Sequence, residues 1–134
     1  MPTYELRRRG YNVTAKPTKE GDFLRQGNNY AKMFENPQFI RCRGNAVESI
    51  KDYMTKWGNG ARAEICIVWK DDPIAHLFLA ENRNGNVHFL DPQTATEGVE
   101  HYFKQAKEGY TIIHRMDNLN FTELIKECCE EVRQ

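Results

Sequence analysis

The sequence predicts an α+β fold, a mainly antiparallel sheet packed with helices. Three observations predict it. Asn84-Gly85 separates two apolar runs, a strong two-residue hairpin signal because a type I′ turn needs positive φ at both central positions. Ile65-Cys-Ile-Val-Trp69 is a continuous apolar run with three β-branched residues, the mark of a strand buried on both faces. Around these strands lie segments whose apolar residues recur at helical spacing, each with start and stop signals.

In chain order, residues 3–9 read as a short helix stopped by Gly10, the residue favoured at a left-handed helix end. Residues 15–42 are rich in Gly, Asn and Pro and read as loop, with one helical turn around Tyr30–Phe34. Asn45 and Glu48 have the spacing of a capping pair, and behind them Val47, Ile50, Met54 and Trp57 form a helical stripe that Gly58 ends. The Ile65 strand and the hairpin follow. Val99, Tyr102, Phe103 and Ala106 mark another helix before Gly109, and Tyr110–Arg115 reads as a further strand. Asn120 with Glu123 then caps a last helix whose stripe is Phe121, Leu124, Ile125, Cys128 and Val132.

Length and composition narrow the classes of function. A chain of 134 residues suits one domain, with 40% hydrophobic and 28% charged residues. Nineteen basic residues balance nineteen acidic ones, so there is no electrostatic case for nucleic acid. Arg7-Arg8-Arg9 is the one basic cluster and reads as the solvated end of a helix. No apolar run approaches the roughly 20 residues of a membrane span, and the N-terminal residues have no apolar signal core. The four cysteines, Cys42, Cys66, Cys128 and Cys129, lack zinc-ligand spacing and read as reduced, mostly buried thiols. No cofactor and no metal is expected.

The hairpin holds the residues with chemical potential. With Asn84 and Gly85 at the turn centre, facing residues have numbers that sum to 169, so Ala80 opposes Phe89 and Glu81 opposes His88. His76, Phe78, Ala80, Phe89 and Asp91 then share one face, with His76 diagonal to Asp91. Pro92 cannot donate to a ladder, which ends the strand and leaves Asp91 at the sheet rim. A carboxylate there can accept from one imidazole nitrogen, fix the tautomer and stabilise the imidazolium. A lone pair of this kind on a sheet is more often a structural hydrogen bond than part of a catalytic apparatus. His88, facing Glu81 near the turn, His101 and His114 read as structural.

Three segments together resemble a known family: Tyr4-Glu-Leu-Arg-Arg-Arg-Gly-Tyr-Asn-Val-Thr-Ala15, Trp57-Gly-Asn-Gly-Ala-Arg62, and Ala75-His-Leu-Phe with Asn84-Gly-Asn-Val-His-Phe-Leu-Asp-Pro-Gln-Thr94. The family is the papain-like fold of bacterial polymorphic toxins and of the C-terminal parts of phage and prophage minor head (capsid) proteins. Similarity runs from about Tyr4 to the last helix, and the His…Asn-Gly…Phe-Leu-Asp-Pro-Gln block is its most specific part. The resemblance implies a single papain-like domain over 1–134 with cysteine-hydrolase chemistry, as peptidase, amidase or deamidase. It assigns His76 as general base, Asp91 as the residue that orients it, and Gln93 as polar support. It implies a protein or peptide substrate, or phage head components as partners, and a setting in the cytoplasm of a bacterial host or on a virion.

One part of the family pattern is missing. Relatives place a cysteine just ahead of the Tyr-Glu-Leu-Arg helix, where a helix N-terminus favours thiolate. Here that place holds Met1-Pro2-Thr3: either the chain is a fragment lacking its upstream nucleophile segment, the favoured reading, or the protein has lost its nucleophile, and in both cases it reads as inactive as given. Cys42, in the loop before the capped helix, is the one stand-in worth weighing. Cys66, Cys128 and Cys129 read as structural thiols. The alternative is a non-catalytic structural or interaction module of a phage head protein, in which His76 and Asp91 serve packing alone.

Overall fold

A computed structural model describes residues 2–15, 31–127 and 129–131. The chain forms two compact units, one of residues 1–37 with 119–134 and the other Gln38–Asn118.

In the first unit, α1 (Pro2–Arg8) is followed by β1 (Val13–Ala15) and a 3-10 turn, Ala31–Met33. Gly10 takes φ 98° behind α1, as its place after the helix predicts. The basic cluster is not uniformly solvated. Arg7 and Arg8 are exposed, but Arg9 folds back to the fully buried Glu5 at 2.6 Å and lies over the Phe121 ring. The region 15–42 lies mostly outside the described residues; its described end carries the 3-10 turn predicted there.

The last helix is a correction. Residues Glu123–Glu127 form a 3-10 helix, and Cys129–Glu131 form a strand antiparallel to β1, with Val13 opposite Glu131. Ladder bonds to a strand more than a hundred residues away outweigh a local helical period. Cys129 is therefore a buried strand residue, its sulfur 3.1 Å from the Thr3 hydroxyl. Cys128 lies outside the described residues.

The second unit is a six-stranded sheet with its helices. Its elements are β2 (Ile40–Arg41), α2 (Ala46–Trp57), β3 (Arg62–Val68), β4 (Ala75–Arg83), β5 (Asn86–Asp91), β6 (Thr96–Glu97), a 3-10 helix (Glu100–Gln105) and β7 (Ile112–Arg115). The strand of the first unit, Cys129–Glu131, completes the series as β8. Strand order across the sheet is β2-β7-β3-β4-β5-β6, and every pairing is antiparallel.

α2 forms where the stripe predicts it. The Asn45 side chain accepts from the Glu48 amide at 3.1 Å, and Gly58 ends the helix at φ 94°. Ile50 and Met54 are its fully buried residues. The Asn82 side-chain amide, on the same face of β4 as His76, donates to the Met54 carbonyl, which places α2 on that face. Between β3 and β4, Ile65 faces Phe78 and Ile67 faces His76. β3 is buried more completely on one side: Ile65 and Ile67 are fully buried, whereas on the other side Glu64 is buried but Cys66 and Val68 are half-buried. The stripe at Val99–Ala106 is realised as a 3-10 helix rather than an α-helix, and it brings Phe103 against Phe78 and Phe89.

Candidate active site

The hairpin register is the one its turn dictates. Asn84 has φ 55° and Gly85 φ 90°, both positive as a type I′ turn requires. Leu79 faces Leu90, Ala80 faces Phe89, Glu81 faces His88 and Arg83 faces Asn86. Two side chains lock the turn from outside the ladder. The Asn82 carboxamide oxygen accepts from the Gly85 amide, and that of Asn59 from the Asn84 amide, each at 2.8 Å.

That register puts His76, near the start of β4, and Asp91, the last residue of β5, on one face. His76 Nε2 lies 2.8 Å from Asp91 Oδ2. The Asp91 side chain is fully buried, whereas that of His76 keeps 21% of its surface exposed. One partner is thus enclosed while the other meets solvent.

Behind Asp91 the chain turns sharply. Pro92 ends β5, and the Gln93 amide donates to Asp91 Oδ1 at 3.0 Å, an Asx-type turn. Gln93 therefore reaches the site through its backbone. Its side chain is exposed and makes no hydrogen bond among the described residues, so its contact with Asp91 is made by the main chain. The chain then returns as β6, with Thr96 facing Asp91.

Tyr102 completes the carboxylate's set of donors. Its hydroxyl donates to Asp91 Oδ2 at 2.8 Å, the same oxygen that meets His76. Sequence reasoning assigned this residue to a core-facing stripe and missed its hydroxyl. The usable signal was chemical: a tyrosine amid apolar stripe residues needs a partner for its O–H when it is buried. Trp69, just past β3, stacks on the His76 ring at 5.4 Å and 27°. Tyr102 meets His76, Trp69 and Phe78 edge-on at 5.3–5.5 Å. The imidazole is flanked by aromatic rings and keeps an exposed edge.

Charge follows from these contacts. Burial pushes the Asp91 carboxyl up, but the bonds from His76, Tyr102 and the Gln93 amide outweigh it and hold the group below the usual carboxylate range. Asp91 is ionised at neutral pH and can only accept. The nitrogen that faces it, Nε2, therefore carries hydrogen, and in the neutral form of the ring the lone pair lies on Nδ1. Burial, and secondarily the bond to Asp91, raises the Tyr102 phenol above its ordinary value, which keeps it a donor.

The remaining candidates stand apart from this pair. Cys66 faces Leu77 across the ladder, so its thiol projects to the face opposite His76. Cys42 is buried, its thiol pushed up by burial despite a hydrogen bond with Ser49, and it makes no hydrogen bond with His76 among the described residues. His88 faces Glu81 as the register requires, and His101 is exposed against Tyr102. His114 is fully buried in β7, stacked on Phe39 and facing Glu64.

Residues 3–96 match the model of a family described as papain fold toxin 1, glutamine deamidase. The match spans His76, Asp91 and Gln93 and ends before Tyr102. It bears on the toxin branch of the resemblance seen in the sequence and says nothing of phage heads. No curated protein matches the chain. With the matched residues covering well over half its length, the chain belongs to the papain fold toxin 1, glutamine deamidase family.

Proposed function

We propose that this chain is the toxin domain of a thiol-dependent glutamine deamidase, with His76 as general base and Asp91 as the residue that orients it. The observation that carries the reading is the 2.8 Å contact between His76 Nε2 and an ionised, enclosed Asp91, which leaves Nδ1 basic on a partly exposed ring. Membership of the deamidase family supports the choice of reaction.

The chemistry follows from that tautomer. Nδ1 takes the proton of a cysteine thiol, and the thiolate attacks the side-chain carbonyl carbon of a glutamine. The imidazolium, stabilised by Asp91, returns the proton to the amide nitrogen, which leaves as ammonia. A thioester remains. Water then gives its proton to Nδ1 and adds to the thioester; the C–S bond breaks and the product is a glutamate carboxyl with the thiol restored. The net change is amide plus water to acid plus ammonia.

The nucleophile this reading calls for is a cysteine placed ahead of the Tyr4 helix, as the family pattern implies. Cys66 on the wrong face and Cys42 with its suppressed ionisation are poor substitutes. The substrate is a glutamine on a protein of the cell in which the toxin acts, in its cytoplasm.

The test uses a chain extended upstream so that a cysteine precedes the Tyr4 helix. It should release ammonia from a glutamine-bearing protein and react with a cysteine-directed acyl probe. Both activities should be lost in His76→Ala. Labelling that survives His76→Ala, or a cysteine-bearing chain that neither labels nor releases ammonia, contradicts the reading.

A further inference from the structure

We infer that Tyr102 is a positioning residue of the site: its hydroxyl fixes the Asp91 oxygen that faces His76 and thereby selects which imidazole nitrogen is basic. For its effect on rate this rests on the hydrolase reading above; for its effect on His76 it stands alone.

Geometry carries the inference. Asp91 Oδ1 is held by the Gln93 amide within its own turn. Oδ2 has two side-chain contacts, His76 Nε2 and the Tyr102 hydroxyl, both at 2.8 Å. Without the hydroxyl, Oδ2 keeps only its contact with the His76 ring it is meant to orient, and the Gln93 amide alone holds the carboxylate independently of that ring. An aspartate side chain has a broad torsion about its last bond, so a single backbone bond defines the plane poorly. With the hydroxyl in place, both oxygens are tied and the acceptor stays at Nε2.

Tyr102 is itself well anchored. It lies on the 3-10 helix that brings Phe103 against Phe78 and Phe89, and its ring packs edge-on against Trp69, His76 and Phe78. The helix also ends in paired backbone: Lys70 donates to the Gln105 carbonyl and Lys107 to that of Val68. The hydroxyl is thus presented by packed structure rather than by a loose side chain.

Ring and hydroxyl make separable contributions. Tyr102→Phe removes the hydroxyl and keeps the packing, whereas Tyr102→Leu removes both. The readout is the pair of ring-nitrogen chemical shifts of His76 in isotope-labelled protein, at a pH where the ring is neutral, with Asp91→Ala as the limit without a carboxylate. Wild type should show hydrogen on Nε2 alone. Tyr102→Phe should fold normally and move toward the mixed tautomers of Asp91→Ala, and Tyr102→Leu should give the same mixture with a less stable fold. In the cysteine-bearing chain, Tyr102→Phe should lower kcat by about tenfold, the scale of one hydrogen bond to a charged group, and leave KM within about twofold.

A wild-type tautomer in Tyr102→Phe overturns the inference, as does an Asp91→Ala spectrum identical to wild type. A tautomer that responds to Tyr102→Phe in a chain without deamidase activity upholds the positioning role and overturns the hydrolase reading instead.

Discussion

His76 and Asp91, fifteen residues apart and on neighbouring antiparallel strands, meet at 2.8 Å with the carboxylate enclosed and the imidazole reaching solvent. Asp91→Asn keeps the shape but can present its NH2 to Nε2, which moves hydrogen to Nδ1 and removes the base. Turnover by the cysteine-bearing chain should fall by about 10²–10⁴-fold, the range for loss of a correctly held general base, with substrate binding little changed. Steady-state kinetics on the two proteins measure this.

Acid should weaken the fold through the same carboxylate. The folded pKa of Asp91 is depressed, so its bonds contribute stability at pH values above the ordinary carboxylate range. That contribution is lost as pH falls through the folded value. Denaturant midpoints measured from neutral to strongly acid pH should fall more steeply in wild type than in Asp91→Ala, which has already lost those bonds.

On the opposite face of the sheet from His76, Glu64 and His114 face each other at 3% and 1% exposure. Burial pushes the Glu64 carboxyl up to about 8 and the His114 imidazole down to about 4. Each therefore prefers to be neutral in the fold. For Glu64 the stability is full below its unfolded value and lost as pH rises toward 8; for His114 it is full above its unfolded value and lost as pH falls toward 4. Between about pH 6.5, the ordinary histidine value, and pH 8 only the Glu64 effect operates, so stability should decline there. Glu64→Gln should flatten that decline. Chemical denaturation at several pH values across the interval checks it.

Packing around the hairpin gives a larger effect. Phe78 is fully buried between the 3-10 helix and the site and meets Phe89, Tyr102 and Phe103. Phe78→Ala should cost about 3–5 kcal/mol. Asn45→Ala, which removes the α2 cap, should cost only about 1 kcal/mol. Equilibrium denaturation separates the two.

What was legible in the sequence was what depends on near neighbours. Asn84-Gly85 specifies a turn, the turn specifies a register, and the register places His76 and Asp91 on one face without any knowledge of the rest of the chain. Asn45 and Gly58 bound α2 by equally local chemistry. Two of the misses depend on partners beyond the local segment. Residues 129–131 are a strand because β1 offers a ladder, which no helical period can register. Tyr102 counts in a pattern as one more large residue, and only the folded chain shows its hydroxyl at Asp91. The donor at Gln93 is a backbone amide, invisible to any reading of side chains.

The most direct measurement is the mass of a glutamine-bearing substrate protein after incubation with the cysteine-bearing chain. Conversion of amide to acid at a glutamine, with ammonia released in equal amount and both abolished by His76→Ala, is the expected result. Conversion that persists in His76→Ala, or a substrate cut at its backbone with its glutamines intact, contradicts it.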